Sequence, residues 1–99
     1  MLNLNLFKAY IIRPTGKIEE IEPTNGEYFS LQELQSIVNG YIEIVRFRDG
    51  RIMIVNEEGC YLNLAENMAA TELALANSGI SRDDIILGNA LVCPMTMVR

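Results

Sequence analysis

The sequence contains no histidine and no tryptophan, and its two cysteines, Cys60 and Cys93, lie far apart. A structural zinc site draws on several cysteine or histidine ligands, and a serine or cysteine nucleophile normally needs an adjacent base. The composition therefore argues against a zinc site and against hydrolase chemistry of the Ser-His type. We expect both thiols to be reduced, buried and structural, with a disulfide between them as the alternative.

The sequence also lacks a long apolar run. No segment approaches the roughly 20 apolar residues that a membrane-spanning helix needs. The first ten residues lack the basic region followed by a continuous apolar segment that typifies a secretory signal. We therefore expect a cytoplasmic protein with no membrane partner.

Positive charge is scarce as well. Thirteen acidic residues against eight basic ones give a net charge of −5. A negative net charge opposes non-specific binding to phosphate backbones, so nucleic acid is not the expected partner. By contrast, hydrophobic residues make up 49% of the 99 residues and charged residues 21%, values typical of a globular protein. We predict a single domain over residues 1–99 with one hydrophobic core.

The clearest element is a helix that begins after Ser30 and ends at about Asn39. Ser30 is a favoured N-cap residue, and Glu33 occupies the third helical position, as a capping box requires. Asn39 tolerates the left-handed conformation that ends many helices. Its apolar residues recur at helical spacing and form one stripe: Leu31, Leu34, Ile37 and Val38.

A hairpin follows directly, with strands over residues 41–48 and 52–55. Asp49-Gly50 is a favoured pair for a two-residue type I′ turn. With that turn, Phe47 lies opposite Ile52, and Val45 lies opposite Ile54, so these four residues form one apolar face that receives the helix. The three arginines of the hairpin, Arg46, Arg48 and Arg51, then gather on the other face at its tip.

The remaining pattern predicts further strands and a second helix. The first strand spans residues 2–13, a short charged edge strand spans 17–22, and a buried strand over 90–93 stops at Pro94. Asn67 is a plausible N-cap for a helix over residues 68–77. Residues 60–64 fit a strand or a loop, and residues 82–87 fit one helical turn. The predicted fold is α+β, with a small mixed or antiparallel sheet, a central β-hairpin and two helices packed on one face.

Several short motifs occur together along the chain. The most diagnostic motif is Asn56-Glu57-Glu58-Gly59, which is followed by Leu62-Asn63-Leu64 and Asn67. The set is completed by Ala9-Tyr10-Ile11-Ile12 and by residues 31–35, 38–43, 85–88 and 90–92. In this order the chain resembles a small uncharacterised family of domains of unknown function from bacteria, phages and conjugative elements. The resemblance implies a compact α+β domain of mobile-element or gut-bacterial origin, with no established activity. Met68 departs from the basic residue that follows the asparagine in many members.

Two groups of polar residues are candidates for a binding site. Arg46, Arg48 and Arg51 concentrate positive potential that suits a phosphate group or an acidic partner; the alternative is a solvated hairpin end. Asn56, Glu58 and Asn67 offer polar groups for a small ligand; the alternatives are a solvated turn and a helix cap. The sequence predicts no catalytic residue, no metal ligand and no cofactor.

These observations favour a non-enzymatic protein-interaction module that binds a partner protein, or a second copy of the chain, through one sheet face or the hairpin tip. Enzymatic activity is left open but not expected. The alternative is a small-ligand-binding protein or minor enzyme acting on a nucleotide-like anion. That alternative requires the arginines to converge with Glu58 or Asn67 in one pocket.

Overall fold

The computed structural model describes residues 4–98. In chain order, these residues form β1 (Ala9–Ile12), β2 (Ile18–Ile21), α1 (Leu31–Val38), β3 (Ile42–Arg46), β4 (Arg51–Asn56), α2 (Met68–Ala76) and β5 (Ala90–Pro94). A 3₁₀ turn, Met95–Met97, follows β5. The predicted start of the first strand at Leu2 lies outside the described residues. Across residues 4–98, no helix has the length and apolar character needed to cross a bilayer.

The strands form one sheet in the order β2-β1-β5-β4-β3, and every neighbouring pair is antiparallel. The α+β class and the antiparallel sheet are therefore confirmed. The prediction that the β3–β4 hairpin is central is wrong. The hairpin forms one side of the sheet, with β3 at the edge. The central position belongs to β5, because this last strand pairs with both hairpins and joins them.

The turn of the β3–β4 hairpin contains three residues rather than the predicted two. The Phe47 N–H donates to the Arg51 carbonyl at 2.9 Å, and the Gly50 N–H donates to the Phe47 carbonyl at 3.2 Å. Gly50 has φ of 92°, the left-handed conformation that a three-residue turn with a bulge requires. As a result Val45 lies opposite Met53 rather than Ile54, so the predicted register is wrong by one residue.

This shift moves every β4 side chain to the opposite face, because side chains alternate along a strand. Val45 and Phe47 share a core with Met53 and α2. Ile52 belongs to a second core with α1. The helices therefore cover opposite faces of the sheet, and the prediction that both pack on one face is wrong. The first core is Ile12, Val45, Phe47, Met53, Val55, Ala70, Leu73, Ala74, Ile86, Ala90 and Val92; the second is Ala9, Ile11, Phe29, Leu34, Val38, Ile52, Ile54, Leu91 and Cys93.

Both predicted ends of α1 are confirmed. The Glu33 N–H donates to Ser30 Oγ at 3.1 Å, and the Ser30 N–H donates to Glu33 Oε1 at 3.0 Å, which completes the capping box. Asn39 ends the helix with φ of 64°. The N–H groups of Ser30 and Thr24 and the Thr24 hydroxyl donate to the Glu33 carboxylate and lower its pKa to about 2.

Two other local predictions are wrong. Residues 57–63 form successive turns, in agreement with the loop alternative for residues 60–64, but Cys60 is exposed rather than buried in the core. Residues 82–87 are not helical, because the Ser81–Asp84 hydrogen bonds close one turn that does not continue. Cys93 is buried as predicted, and its burial raises the pKa of its thiol to about 12. Both cysteines are free.

The capping box makes stability depend on pH. Because the folded pKa of Glu33 lies below its unfolded value of 4.5, the ionised carboxylate stabilises the fold above about pH 4.5. That stabilisation is lost as the pH falls through about 2. We expect the free energy of unfolding of Glu33→Gln to lie below that of wild type at pH 6, and the difference to shrink between pH 4.5 and 2. Urea denaturation at several pH values measures this, and Gln32→Ala, which removes no carboxylate from the same helix, is the control. A Glu33→Gln difference that stays constant with pH contradicts the assignment.

Candidate functional site

The three candidate arginines do not form one cluster. Arg51 is buried, and its Nε and Nη2 donate to Asp49 Oδ2 at 3.0 and 2.7 Å. Its guanidinium carbon lies 5.5 Å from the centre of the Phe47 ring. The hydrogen bond from Arg51 lowers the pKa of Asp49. These contacts show that Arg51 stabilises the hairpin turn and is not presented to a ligand.

Arg48 and Arg46 point to different parts of the molecule. Arg48 Nη2 donates to the Ala76 carbonyl at 3.3 Å, and its backbone N–H donates to the Asn77 carbonyl at 2.9 Å. Arg48 thus ties the hairpin tip to the carboxyl end of α2, where a cation is favourable. Arg46 lies on the α1 side of the sheet, where its Nη1 is 3.7 Å from the Met95 sulfur. Of the three, Arg46 alone faces an open groove.

The candidate Asn56 has a structural role. It is buried, and its Nδ2 donates to the carbonyls of Val38 and Asn39 at 2.9 and 3.3 Å. Its Oδ1 accepts the Glu58 N–H at 2.7 Å. A Cβ at Gly40 would lie 2.8 Å from Asn56 Nδ2, so this close approach needs glycine. Asn56 therefore fixes the end of α1 against β4.

The candidate Asn67 is fully buried and is also structural. Its Oδ1 accepts the Ala70 N–H at 3.1 Å, which confirms the predicted N-cap of α2. Its Nδ2 donates to the carbonyls of Ile12 and Gly88, both at 2.8 Å. One side chain thus joins β1, α2 and the segment that leads into β5. Because Asn67 is fully buried and donates both of its amide hydrogens within the fold, its side chain is not accessible to a ligand.

Glu58 is exposed and lines a shallow cavity of about 240 Å³ beside the end of α1, together with Tyr41 and Leu62. None of the three arginines lines this cavity. The convergence that a nucleotide-like anion site requires is therefore absent from the candidate residues. A second cavity, of about 260 Å³, lies on the α2 side. Its described lining includes three acidic residues, Glu43, Glu57 and Asp84, and no basic residue. Within residues 4–98, no group of three acidic or cysteine side chains is arranged to hold a metal ion.

The feature that the sequence analysis missed is the open edge of β3. The Phe47 N–H donates to the Arg51 carbonyl, and the Tyr41 carbonyl accepts the Glu57 N–H. The backbone N–H and C=O groups of the odd-numbered residues of this strand therefore point toward β4. Inward and outward backbone groups alternate along an antiparallel strand. The N–H and C=O groups of Ile42, Ile44 and Arg46 therefore point away from the sheet, toward no strand among the described residues.

The side chains of the same three residues line an apolar groove of about 280 Å³ between β3, α1 and the 3₁₀ turn. Three of the lining side chains are large, apolar and well exposed: Leu31 at 57%, Met95 at 52% and Ile44 at 40%. The groove is lined by Leu31, Leu34, Ile42, Ile44, Arg46, Ile52, Met95 and Val98. We call this surface, together with the outward backbone groups of β3, the β3 edge groove.

Comparison with known proteins identifies the family. Residues 7–97 match the model of a domain of unknown function, DUF3846. The chain belongs to the DUF3846 family. The resemblance to a small family of domains of unknown function is thereby confirmed, and the matched range contains both hairpins, both helices and β5. Searches of curated proteins and of solved structures found no match. The β3 edge groove lies inside the DUF3846 match except for Val98.

We predict a large loss of stability for Asn67→Ala. The substitution leaves the buried Ile12 and Gly88 carbonyls and the Ala70 N–H without their partner. We expect the free energy of unfolding to fall by about 3 kcal/mol and Tm to fall by roughly 10–20 °C. Thermal and urea denaturation measure both. Gln32→Ala, at an exposed position of α1, should change the free energy by less than about 0.5 kcal/mol. Equal effects of the two substitutions would contradict a structural role for Asn67.

Proposed function

We propose that this DUF3846 domain is a non-enzymatic protein-interaction module that binds an extended segment of a partner protein at the β3 edge groove. The observation that carries the proposal is the coincidence of an unpaired strand edge with an apolar groove on the same three residues, Ile42, Ile44 and Arg46. In strand addition, backbone hydrogen bonds supply affinity, and pockets for alternate side chains supply specificity. The β3 edge groove offers both.

The rest of the sheet supports this choice of surface. Its two faces are covered by α1 and α2, so a sheet face is not available to a partner, in contrast to the earlier expectation. The hairpin tip is engaged by Arg48 and Arg51 in contacts within the chain. What remains open is the pair of sheet edges.

The other edge, β2, is protected by charge. Lys8 Nζ lies 3.3 Å from Glu20, Arg13 Nε lies 2.7 Å from Glu19, and Lys17 Nζ lies 3.8 Å from Glu19. Charged side chains on an edge strand discourage pairing with another chain. On the β3 side, the groove residues within 4–98 are one charged residue, Arg46, with six aliphatic residues and one methionine.

The proposal includes a cytoplasmic setting in a bacterium or a mobile element. Its support is the absence of a long apolar run in the sequence and the family resemblance described above.

A selection experiment tests the proposed function. A displayed library of random peptides is panned on the immobilised protein, and the enriched peptides are then assayed on two variants. Ile44→Lys places a charge in the β3 edge groove. Ile85→Lys, whose side chain is 47% exposed in wild type against 40% for Ile44, is the matched control outside it. We expect enriched peptides to lose at least tenfold in affinity for Ile44→Lys and to keep their affinity for Ile85→Lys, because burying a lysine charge beside the bound strand is costly.

Equal binding to both variants would contradict the proposal, and so would a failure of the library to yield any binder. Circular dichroism and Tm of both variants show whether either lysine disturbs the fold.

A further inference from the structure

We infer that the segment recognised at the β3 edge groove carries an acidic side chain opposite Arg46 and apolar side chains opposite Ile44 and Ile42. This inference rests on the proposed function and specifies the chemistry of the partner. Read from its amino end, the partner segment has the pattern acid-x-apolar-x-apolar.

The first support is the state of Arg46. No carboxylate of residues 4–98 lies within ion-pair distance of its guanidinium, whose Nη1 lies 3.7 Å from the Met95 sulfur. Arg51, by contrast, has an ion pair at 2.7 Å. Arg46 thus places a cation that has no counterion within residues 4–98 beside apolar walls, in a chain of net charge −5. A bound apolar strand would exclude water from this charge, and a carboxylate in the strand would offset that cost.

The second support is the spacing along β3. Side chains of one face repeat every second residue, so Ile42, Ile44 and Arg46 present two apolar positions and one basic position in a row. Each strand pair in this sheet is antiparallel, and antiparallel pairing is the slightly more stable kind. An antiparallel partner meets Arg46 first and Ile42 last, which sets the order acid, apolar, apolar.

A second copy of this chain that pairs its β3 with β3 does not supply the acidic side chain. Self-pairing of β3 about a two-fold axis brings outward-facing, even-numbered residues opposite each other. With Ile44 opposite Ile44 of the second copy, Arg46 lies opposite Ile42. If the two-fold axis instead passes beside Glu43, Glu43 lies directly opposite Glu43 of the second copy. Like charges in that position are unfavourable. Glu43 is the acidic residue of β3, and its alternation with Ile44 places it on the α2 side. Since Arg46 lies on the α1 side, pairing of β3 with β3 does not bring the Glu43 carboxylate next to Arg46.

Synthetic peptides test the inference. The first has the sequence Gly-Ser-Asp-Thr-Ile-Thr-Val-Ser-Gly, the second has Lys in place of Asp, and the third exchanges Asp with the preceding Ser, which moves the acid to the other face of the strand. Affinities are measured by fluorescence anisotropy with wild type, Arg46→Glu and Arg82→Glu. Arg82 is exposed, lies outside the β3 edge groove and has no ion pair among the described residues, so it is the matched control.

We expect wild type to bind the first peptide about two- to fivefold more tightly than the second or third, the range of an exposed ion pair. Arg46→Glu should reverse the preference between the first two peptides, and Arg82→Glu should leave it unchanged. The reversal isolates the pairing of the two charges from any effect of each substitution alone.

Other outcomes overturn the inference and separate it from the proposed function. Equal binding of all three peptides, lost in Ile44→Lys, would leave strand addition standing and remove the acidic requirement. An unchanged preference in Arg46→Glu would place the contact with the acid elsewhere. A dimer in light scattering that Ile44→Lys separates into monomers would make a second copy the occupant. A monomer that binds none of the peptides and yields no library binder would overturn both.

Discussion

Strands β4 and β5 bury side chains on both faces of the sheet, and the arrangement of the other elements follows from this constraint. Met53 and Ile54 are neighbours that point to opposite faces, yet both are fully buried, and so are Leu91 and Val92 in β5. Each face then needs its own cover, since exposed apolar side chains of this number would cost several kcal/mol. The chain supplies α1 for one face and α2 for the other. Asn67 also links α2 to β1 and to the segment before β5 through hydrogen bonds to the Ile12 and Gly88 carbonyls.

Once both faces are covered, partners can approach the sheet through its edges. The β2 edge has three ion pairs, whereas the β3 edge has outward backbone groups and an apolar groove. This contrast directs the functional proposal to β3. Arg46 lines the groove, whereas Arg48 bonds to the end of α2 and Arg51 bonds to Asp49 in the hairpin turn. The β3–β4 hairpin thus combines structural cations at its tip, Arg48 and Arg51, with one cation in the groove, Arg46.

Sequence reasoning succeeded where the deciding contacts are local. The capping box of Ser30 and Glu33 spans one helical turn, and Asn39 ends α1 by its own backbone preference, so both follow from short patterns. The hairpin register failed because Asp49-Gly50 suits a two-residue turn and also a three-residue turn with Gly50 in the left-handed conformation. Because of this difference of one residue, the prediction assigned the β4 side chains to the wrong faces and placed both helices on one face of the sheet.

The candidate site failed for a different reason. Asn67 bonds to Ile12, 55 residues earlier, and Asn56 bonds to Val38, 18 residues earlier, so their structural roles depend on contacts that short patterns do not contain. The sequence analysis did not find the β3 edge groove, because the predicted register did not place Ile44 opposite Ile54. The available signal for an open edge was composition: residues 18–21 contain two adjacent glutamates, whereas residues 42–46 are mostly apolar.

Hydrogen exchange of the backbone amides of β3, followed residue by residue by NMR, tests the open edge most directly. The structure predicts alternation: the Glu43, Val45 and Phe47 amides exchange slowly because they bond to β4, and the Ile42, Ile44 and Arg46 amides exchange fast because they face away from the sheet. Addition of a binding peptide should slow the second set and leave the first unchanged. An Ile44 amide as protected as that of Val45 in the free protein would contradict the open edge and, with it, the proposed mode of binding.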